Sequence, residues 1–448
     1  MERTLVIHDF GKPQENQLLY TAKKAQIENV FIHPIDKTLL AIDEVYHKPE
    51  IFIANETVQD DFQYLVNLRP NDHPIIAGIT GDFRTWLVTY ASDQHPYEFF
   101  LYRRWQKKAE YLFSTRPELQ GKKLNRMVGF DFLARDNMKI QAYLSLPPDV
   151  PLRKASEVNA NDAVYANLGL LPVKPQKMIV RVHGGPRARD IFGFSATNAW
   201  LTNRGYAVLQ VNFRGSTGFG KKYTNAGNGE WGRRMHFDLI DAVEFAVAKG
   251  IANRSEVAIM GASYGGYAVL VGMTFTPSVF ACGADSVGPS NLVTLLETIP
   301  PYWQGFYRDM TITLGADINN ISGIMSLKSR SPLFFANQVR KPLIIFQGAN
   351  DPRVKQSESD RFVDELKKHR IPVTYVLYPD EGHVFLKQEN SLSEAGFIEE
   401  FFHKCLKGDY EPFSRGQYDS SAIVVADMDK PTEGRRRFAF RRGMVRLP

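Results

Sequence analysis

Two rhythms of apolar residues divide this chain. Up to about residue 120, short runs of β-branched and aromatic residues recur between turns rich in Asn, Asp, Pro and Gly. Thr4–His8, Leu39–Val45, Glu50–Ala54, Thr85–Tyr90 and Glu98–Tyr102 are such runs, and they predict short β-strands. Four-stranded blades of about 40–50 residues would give residues 1–122 two to three blades, fewer than the roughly four to eight of a closed propeller. The segment therefore reads as partial and all-β, propeller-like, with a small β-sandwich as the alternative.

From about residue 125 the rhythm changes. Apolar runs at Tyr143–Leu146, Lys177–Val182, Ala207–Asn212, Val257–Met260, Gly283–Asp285, Leu343–Phe346 and Val373–Tyr378 alternate with helical stretches such as Leu239–Ala246 and Glu358–His369. Uninterrupted apolar strands between helices predict a mostly parallel sheet covered on both faces. Residues 123–412 are assigned to this α/β domain, with 159–169 as an inserted loop. Residues 413–448 form a basic C-terminal extension, expected to be flexible.

Composition narrows the choices. Hydrophobic residues make up 44% and charged residues 23% of the 448, as in an ordinary globular protein. No apolar run approaches the roughly 20 residues of a membrane span, and the start of the chain shows no signal peptide. The net charge of +6 is concentrated at the end: residues 424–448 hold seven basic and three acidic residues, which leaves +2 for the rest. That distribution argues against nucleic acid as a partner. Cys282 and Cys405 stand far apart, without a CxxC motif or a disulfide framework, which fits a reducing, cytoplasmic setting. A periplasmic or secreted location follows instead if truncation has removed a signal. Oligomeric state stays open.

The chemistry starts at Gly261-Ala262-Ser263-Tyr264-Gly265-Gly266, between the strand-like 257–260 and the helix-like 267–271. Strand, turn and helix around GxSxG make a nucleophile elbow, with the helix N-terminus aimed where negative charge develops. Open α/β sheets place their chemistry beyond the carboxyl ends of the strands. Two further strand ends carry Asp351, in Asn350-Asp351-Pro352, and His383, in Glu381-Gly382-His383. The order Ser263, Asp351, His383 is that of an α/β-hydrolase, with serine as nucleophile, histidine as base and aspartate as its orienting partner. Asp360 and Asp380 compete for the acid role: one lies within a helical run, the other too near His383 in sequence. Tyr264 N–H is one oxyanion donor, and the turn His183-Gly184-Gly185-Pro186 is the place for the second.

Six segments occur in order: His183–Pro186, Asn212–Gly220, Gly261–Tyr267, Ser331-Pro332, Gln347–Val354 and Asp380–His383. Together they resemble the prolyl oligopeptidase family of serine peptidases, in its acylaminoacyl-peptidase-like and dipeptidyl-peptidase-like branch, over residues 125–412. The resemblance implies a seven-bladed propeller over an α/β-hydrolase domain, and cleavage of short peptides without cofactor or metal. It implies Ser263, Asp351 and His383 as the triad and Gly185 and Tyr264 as the oxyanion donors. It also implies substrate-binding places at His183, where one branch has a tyrosine, and at Arg330. Arg214 reads as a loop brace. Three features depart from the family pattern: Val384 follows the histidine where glycine is usual, the chain runs past the usual end, and the β segment is too short for seven blades. The reading that follows is a serine oligopeptidase. The alternatives are a carboxylesterase on the same fold and a truncated, inactive fragment.

Overall fold

The computed structural model describes residues 4–8, 11–12 and 16–430. Strands β1 (Thr4–His8) and β2 (Asn16–Thr21) form a hairpin. β3 (Gln26–Ile32), β4 (Leu39–Val45) and β5 (Pro49–Ile53) form an antiparallel three-stranded sheet. Helix α1 (Gln59–Leu68) follows, which the strand rhythm does not foresee. Asn55 caps the turn leading into it, and Val58, Phe62 and Leu65 bury one face. β6 (His73–Ile79), β7 (Thr85–Ala91), β8 (Glu98–Arg103) and β9 (Lys108–Ser114) then make a four-stranded antiparallel meander around Trp86, Tyr90 and Tyr102.

The rest of the chain builds one nine-stranded sheet. In chain order its elements are β10 (Met127–Leu133), β11 (Lys139–Ser145), α2 (Ala163–Leu168), β12 (Gln176–Val182), α3 (Ala196–Asn203), β13 (Ala207–Asn212), α4 (Lys221–Asn225), α5 (Arg234–Ala248) and β14 (Ala252–Ala262). Then come α6 (Tyr264–Phe275), β15 (Gly283–Ser286), α7 (Leu292–Glu297), α8 (Gln304–Leu314), α9 (Ile321–Lys328), β16 (Leu343–Gly348), α10 (Gln356–Lys368), β17 (Thr374–Tyr378), α11 (Gln388–Leu406) and β18 (Ile423–Ala426). The strand order is β10-β11-β13-β12-β14-β15-β16-β17-β18, parallel from β13 to β17 and antiparallel at both ends. The direction of winding reverses between β12 and β14, the crevice where open α/β sheets bind ligands.

Alternate residues of each central strand feed two cores. Val257, Ile259, Leu343 and Ile345 pack with α5, α6 and α10 on one face. Ala258, Ile344, Phe346 and Val376 pack with α3 and α11 on the other. Both faces are buried, so the strands read as unbroken apolar runs in the sequence.

Two expectations are corrected. Cys282, just before β15, and Cys405, in α11, are joined in a disulfide with Cα atoms 6.4 Å apart. Their 123-residue separation hid the contact, because α11 returns across the sheet face to cover β15. The extension after residue 412 is also not wholly loose. Phe413 packs on Phe397, Arg415 pairs with Asp427, and β18 adds an edge strand to β17. The basic tail from residue 431 onward lies outside the described residues. Among those described, no helix is long and apolar enough to cross a membrane.

The two halves meet at the turn between β4 and β5. Tyr46 Oη donates to Asp131 Oδ1 at 2.7 Å, and His47 Nε2 lies 3.0 Å from the same oxygen. Tyr143 Oη donates to the Tyr46 carbonyl at 2.8 Å. Gly129 lets His47 approach, since a Cβ there would stand 2.8 Å from the His47 Cβ.

Candidate active site

The elbow forms because small residues let a strand and a helix meet at close range. Ser263 follows β14 directly and sits at φ 60°, ψ −119°, a conformation that few residues with a side chain adopt. Its N–H donates to the Ser286 carbonyl at 2.9 Å, and its own carbonyl accepts the Tyr267 N–H at 3.0 Å. A Cβ on Gly265 would lie 2.2 Å from the Val182 carbonyl oxygen, and one on Gly261 would lie 2.6 Å from Gly265. Glycine at both places is therefore a packing requirement.

Three strand ends converge on this serine. His383, in the loop after β17, places Nε2 3.0 Å from Ser263 Oγ and Nδ1 2.6 Å from Asp351 Oδ2. Asp351, after β16, is fully buried along its side chain. Its other oxygen accepts the N–H groups of Arg353 at 2.8 Å and Val354 at 2.9 Å, so the carboxylate is held from both sides. The competing acids are engaged elsewhere: Asp360 accepts from Tyr375 Oη at 2.7 Å, and Asp380 from Lys387 and Asn390. Glu381, which the sequence reading passed over, organises the histidine loop. It accepts the N–H groups of Leu386 and Lys387 and the Asn390 side chain.

A cavity of about 640 Å³ opens beside Ser263 and is lined by both Gly185 and Tyr264. Tyr264 is the first residue of α6, so helix geometry leaves its N–H without an intrahelical acceptor. Gly185 faces it from the loop after β12, exposed and at φ 119°, again a place for glycine. The cavity walls are apolar: Trp231, Leu295, Ile299, Trp303, Phe306 and Val354 contribute. Most of these come from α7, α8 and the turn between them. In the sequence their visible signal is the aromatic cluster Tyr302, Trp303 and Phe306 between two strands.

Two expected substrate-binding residues lie elsewhere. The His183 ring is committed to loop structure: Nδ1 lies 2.8 Å from the Gly184 carbonyl and Nε2 3.0 Å from Ser216 Oγ, and the ring stacks on Phe213. Burial holds this imidazole below its usual range. Arg330 is 2% exposed, with Nε on the Ser326 carbonyl, and lines no part of the cavity at Ser263. Arg353 lines that cavity instead, because the residue two past Asp351 turns back over the strand end. Arg214 is a brace, donating to Asp238 and Asp136. A second cavity of about 450 Å³ is lined by His183, His383 and Glu394 among others.

Residues 192–409 match the model of the prolyl oligopeptidase family, Peptidase_S9. That match covers just under half of the chain and includes Ser263, Asp351 and His383. Among its relatives, "Dipeptidyl peptidase family member 6" of Caenorhabditis elegans is 64% identical over 420 residues, 94% of this chain and 57% of that protein. "Dipeptidyl aminopeptidase BIII" of Pseudoxanthomonas mexicana is 42% identical over 428 residues, 96% of this chain and 58% of the relative. The chain thus spans a little under three fifths of the length of these curated relatives. A solved Mycobacterium tuberculosis puromycin-hydrolyzing peptidase superposes with a TM-score of 0.68 at 22% identity, over 90% of this chain and 58% of that one. At that identity the likeness speaks for the fold alone: an α/β-hydrolase domain preceded by a β-rich segment.

Proposed function

We propose that this chain is a serine-type peptidase that cleaves short peptides through an acyl-enzyme on Ser263. The observation that carries the reading is the continuous Asp351–His383–Ser263 hydrogen-bonded path at the mouth of the apolar cavity. In this reading His383 Nε2 takes the Ser263 proton as Oγ attacks the scissile carbonyl. Asp351 holds the Nδ1–H tautomer and balances the imidazolium. The oxyanion sits between the N–H groups of Gly185 and Tyr264. His383 then protonates the leaving amine, and water repeats the cycle to free the acyl group.

The cavity supports a large apolar or aromatic side chain on the acyl side of the cleaved bond. The names of the two relatives support release of dipeptides from a free N-terminus, and we extend that to this chain. A dipeptidyl anilide ending in an aromatic residue is expected to be turned over faster than its N-acylated counterpart. Faster turnover of the acylated substrate would move the reading to acylaminoacyl cleavage. Hydrolysis of a p-nitrophenyl ester with no detectable amide cleavage would favour a carboxylesterase. Ser263→Ala is expected to lower kcat by about 10⁶ with an unchanged thermal midpoint, as for removal of a triad serine elsewhere. Full activity in that variant would sink the proposal.

A further inference from the structure

The loop after β12 carries Gly185 to the cavity and is fixed by the residues that follow it. Asp190 accepts from Gln210 Nε2 at 2.5 Å, and its N–H donates to Asn212 Oδ1 at 2.7 Å, which ties the loop to β13. Arg187 pairs with Asp309 on α8 and donates to Asn228 Oδ1 at 3.2 Å. The Ala188 carbonyl accepts the Thr217 N–H at 2.9 Å. Arg189, between these anchors, reaches across to the other half of the molecule. Its Nη2 donates to the carbonyl of Val45, the last residue of β4, at 2.8 Å.

The path of this side chain is shaped along its length. The guanidinium lies 5.1 Å from the centroid of the Phe219 ring. Phe219 in turn meets Tyr46 edge-on at 5.9 Å. Room for the guanidinium exists because residue 218 is glycine, where a Cβ would stand 2.2 Å from Nη1. The far end is rigid, since Tyr46 and His47 are fastened to Asp131 and Tyr143 of the catalytic domain.

We infer that Arg189 is a positioning residue through which the N-terminal β region sets the placement of the oxyanion loop. The inference rests on the hydrolase reading above. Oxyanion donors act through geometry, and a displacement of about 1 Å costs a large part of their effect. Arg189 is four residues from Gly185, on the same short loop, so a shift of its anchor is felt at that N–H. A lysine keeps a donor for Val45 but loses the flat face that stacks on Phe219.

The test compares Arg189→Ala, Arg189→Lys and Phe219→Leu with the wild-type chain. Readouts are kcat, KM, affinity for a peptide aldehyde whose hemiacetal oxygen occupies the oxyanion site, and affinity for the product peptide. For Arg189→Ala, kcat and aldehyde affinity are expected to fall together by about tenfold to a hundredfold, part of the roughly 10²–10³ lost when an oxyanion donor is removed outright. KM and product affinity are expected to stay within about threefold of wild type, since ground-state binding is untouched. Arg189→Lys should recover part of the loss, and Phe219→Leu should show a smaller loss of the same kind. If Arg189→Ala does not fold, Phe219→Leu alone decides. Unchanged kcat and aldehyde affinity in the variants overturn the inference while leaving the hydrolase reading intact. So does a proportional loss of aldehyde and product affinity with a lowered thermal midpoint, which would mark a merely structural arginine. A wild-type chain that takes up no fluorophosphonate overturns the hydrolase reading, and this inference with it.

Discussion

At Ser263 and Val287 the backbone takes positive φ, 60° and 50°, at residues that are not glycine. The two lie at neighbouring strand ends, joined through the bond from Ser263 N–H to the Ser286 carbonyl. Strain at the serine could be read from its glycine-flanked turn; strain at a valine could not, because nothing in its sequence surroundings asks for it. Asp285 sits below both. It is 1% exposed and accepts the Gly288 N–H at 3.0 Å, and burial pushes its carboxyl up to about 8. A carboxyl raised in the fold binds its proton more tightly folded than unfolded. Its stabilising contribution is therefore whole below the unfolded value of 3.8, declines as pH rises, and is gone above about 8. The decline is at most about 1.4 kcal/mol per pH unit for one group. Asp285→Asn is expected to flatten the fall in thermal midpoint between about pH 4 and 8. Part of the fall should remain, since burial also raises Glu394, beneath Ser286, to about 7. An unchanged slope would show that Asp285 is ionised in the fold.

Among the elements, the disulfide between the start of β15 and the end of α11 fastens one cover of the sheet to its centre. Closing a loop of this length removes unfolded-state freedom, and reduction or Cys405→Ser is expected to cost roughly 2–4 kcal/mol. Thermal unfolding with and without dithiothreitol measures it; coincident midpoints would mean that the link adds nothing. How much of this architecture the sequence displayed follows from burial. β14, β16 and β17 are buried on both faces, so they read as unbroken apolar runs, and the side chains at their ends, Ser263, Asp351 and His383, meet in the structure. α7 and α8 are not legible, because α7 is only six residues long and the half-exposed α8 carries a mixed pattern. His183 and Arg330 lie outside the cavity lined by Gly185 and Tyr264 for a related reason. Sequence position fixes which loop a side chain leaves from, but neighbours such as Phe213, Ser216 and Ser326 decide where it points. Glu381 and Arg353 were missed because each looks like ordinary loop polarity until the loop is folded.

Over the whole molecule, the described β region consists of sheets of two, three and four strands, which do not close a ring. We expect these open sheets to screen substrates by size less than a closed ring would. For this 448-residue chain, a scissile sequence is expected to be cut at similar rates in a short peptide and within a long unstructured one, measured as kcat/KM by mass spectrometry. Strict rejection of the long substrate would show that the sheets present suffice as a gate. The far end of the chain bears on how such material is prepared. A recombinant version trimmed to the family match would stop at residue 409 and lose β18. The backbone of β17 would then face solvent as a bare edge, open to pairing with a second copy. The loop carrying His383 springs from that same strand. A shortened product of this kind is expected to precipitate or to test as dead, and the fault would lie in a missing selvedge rather than in the chemistry of the serine.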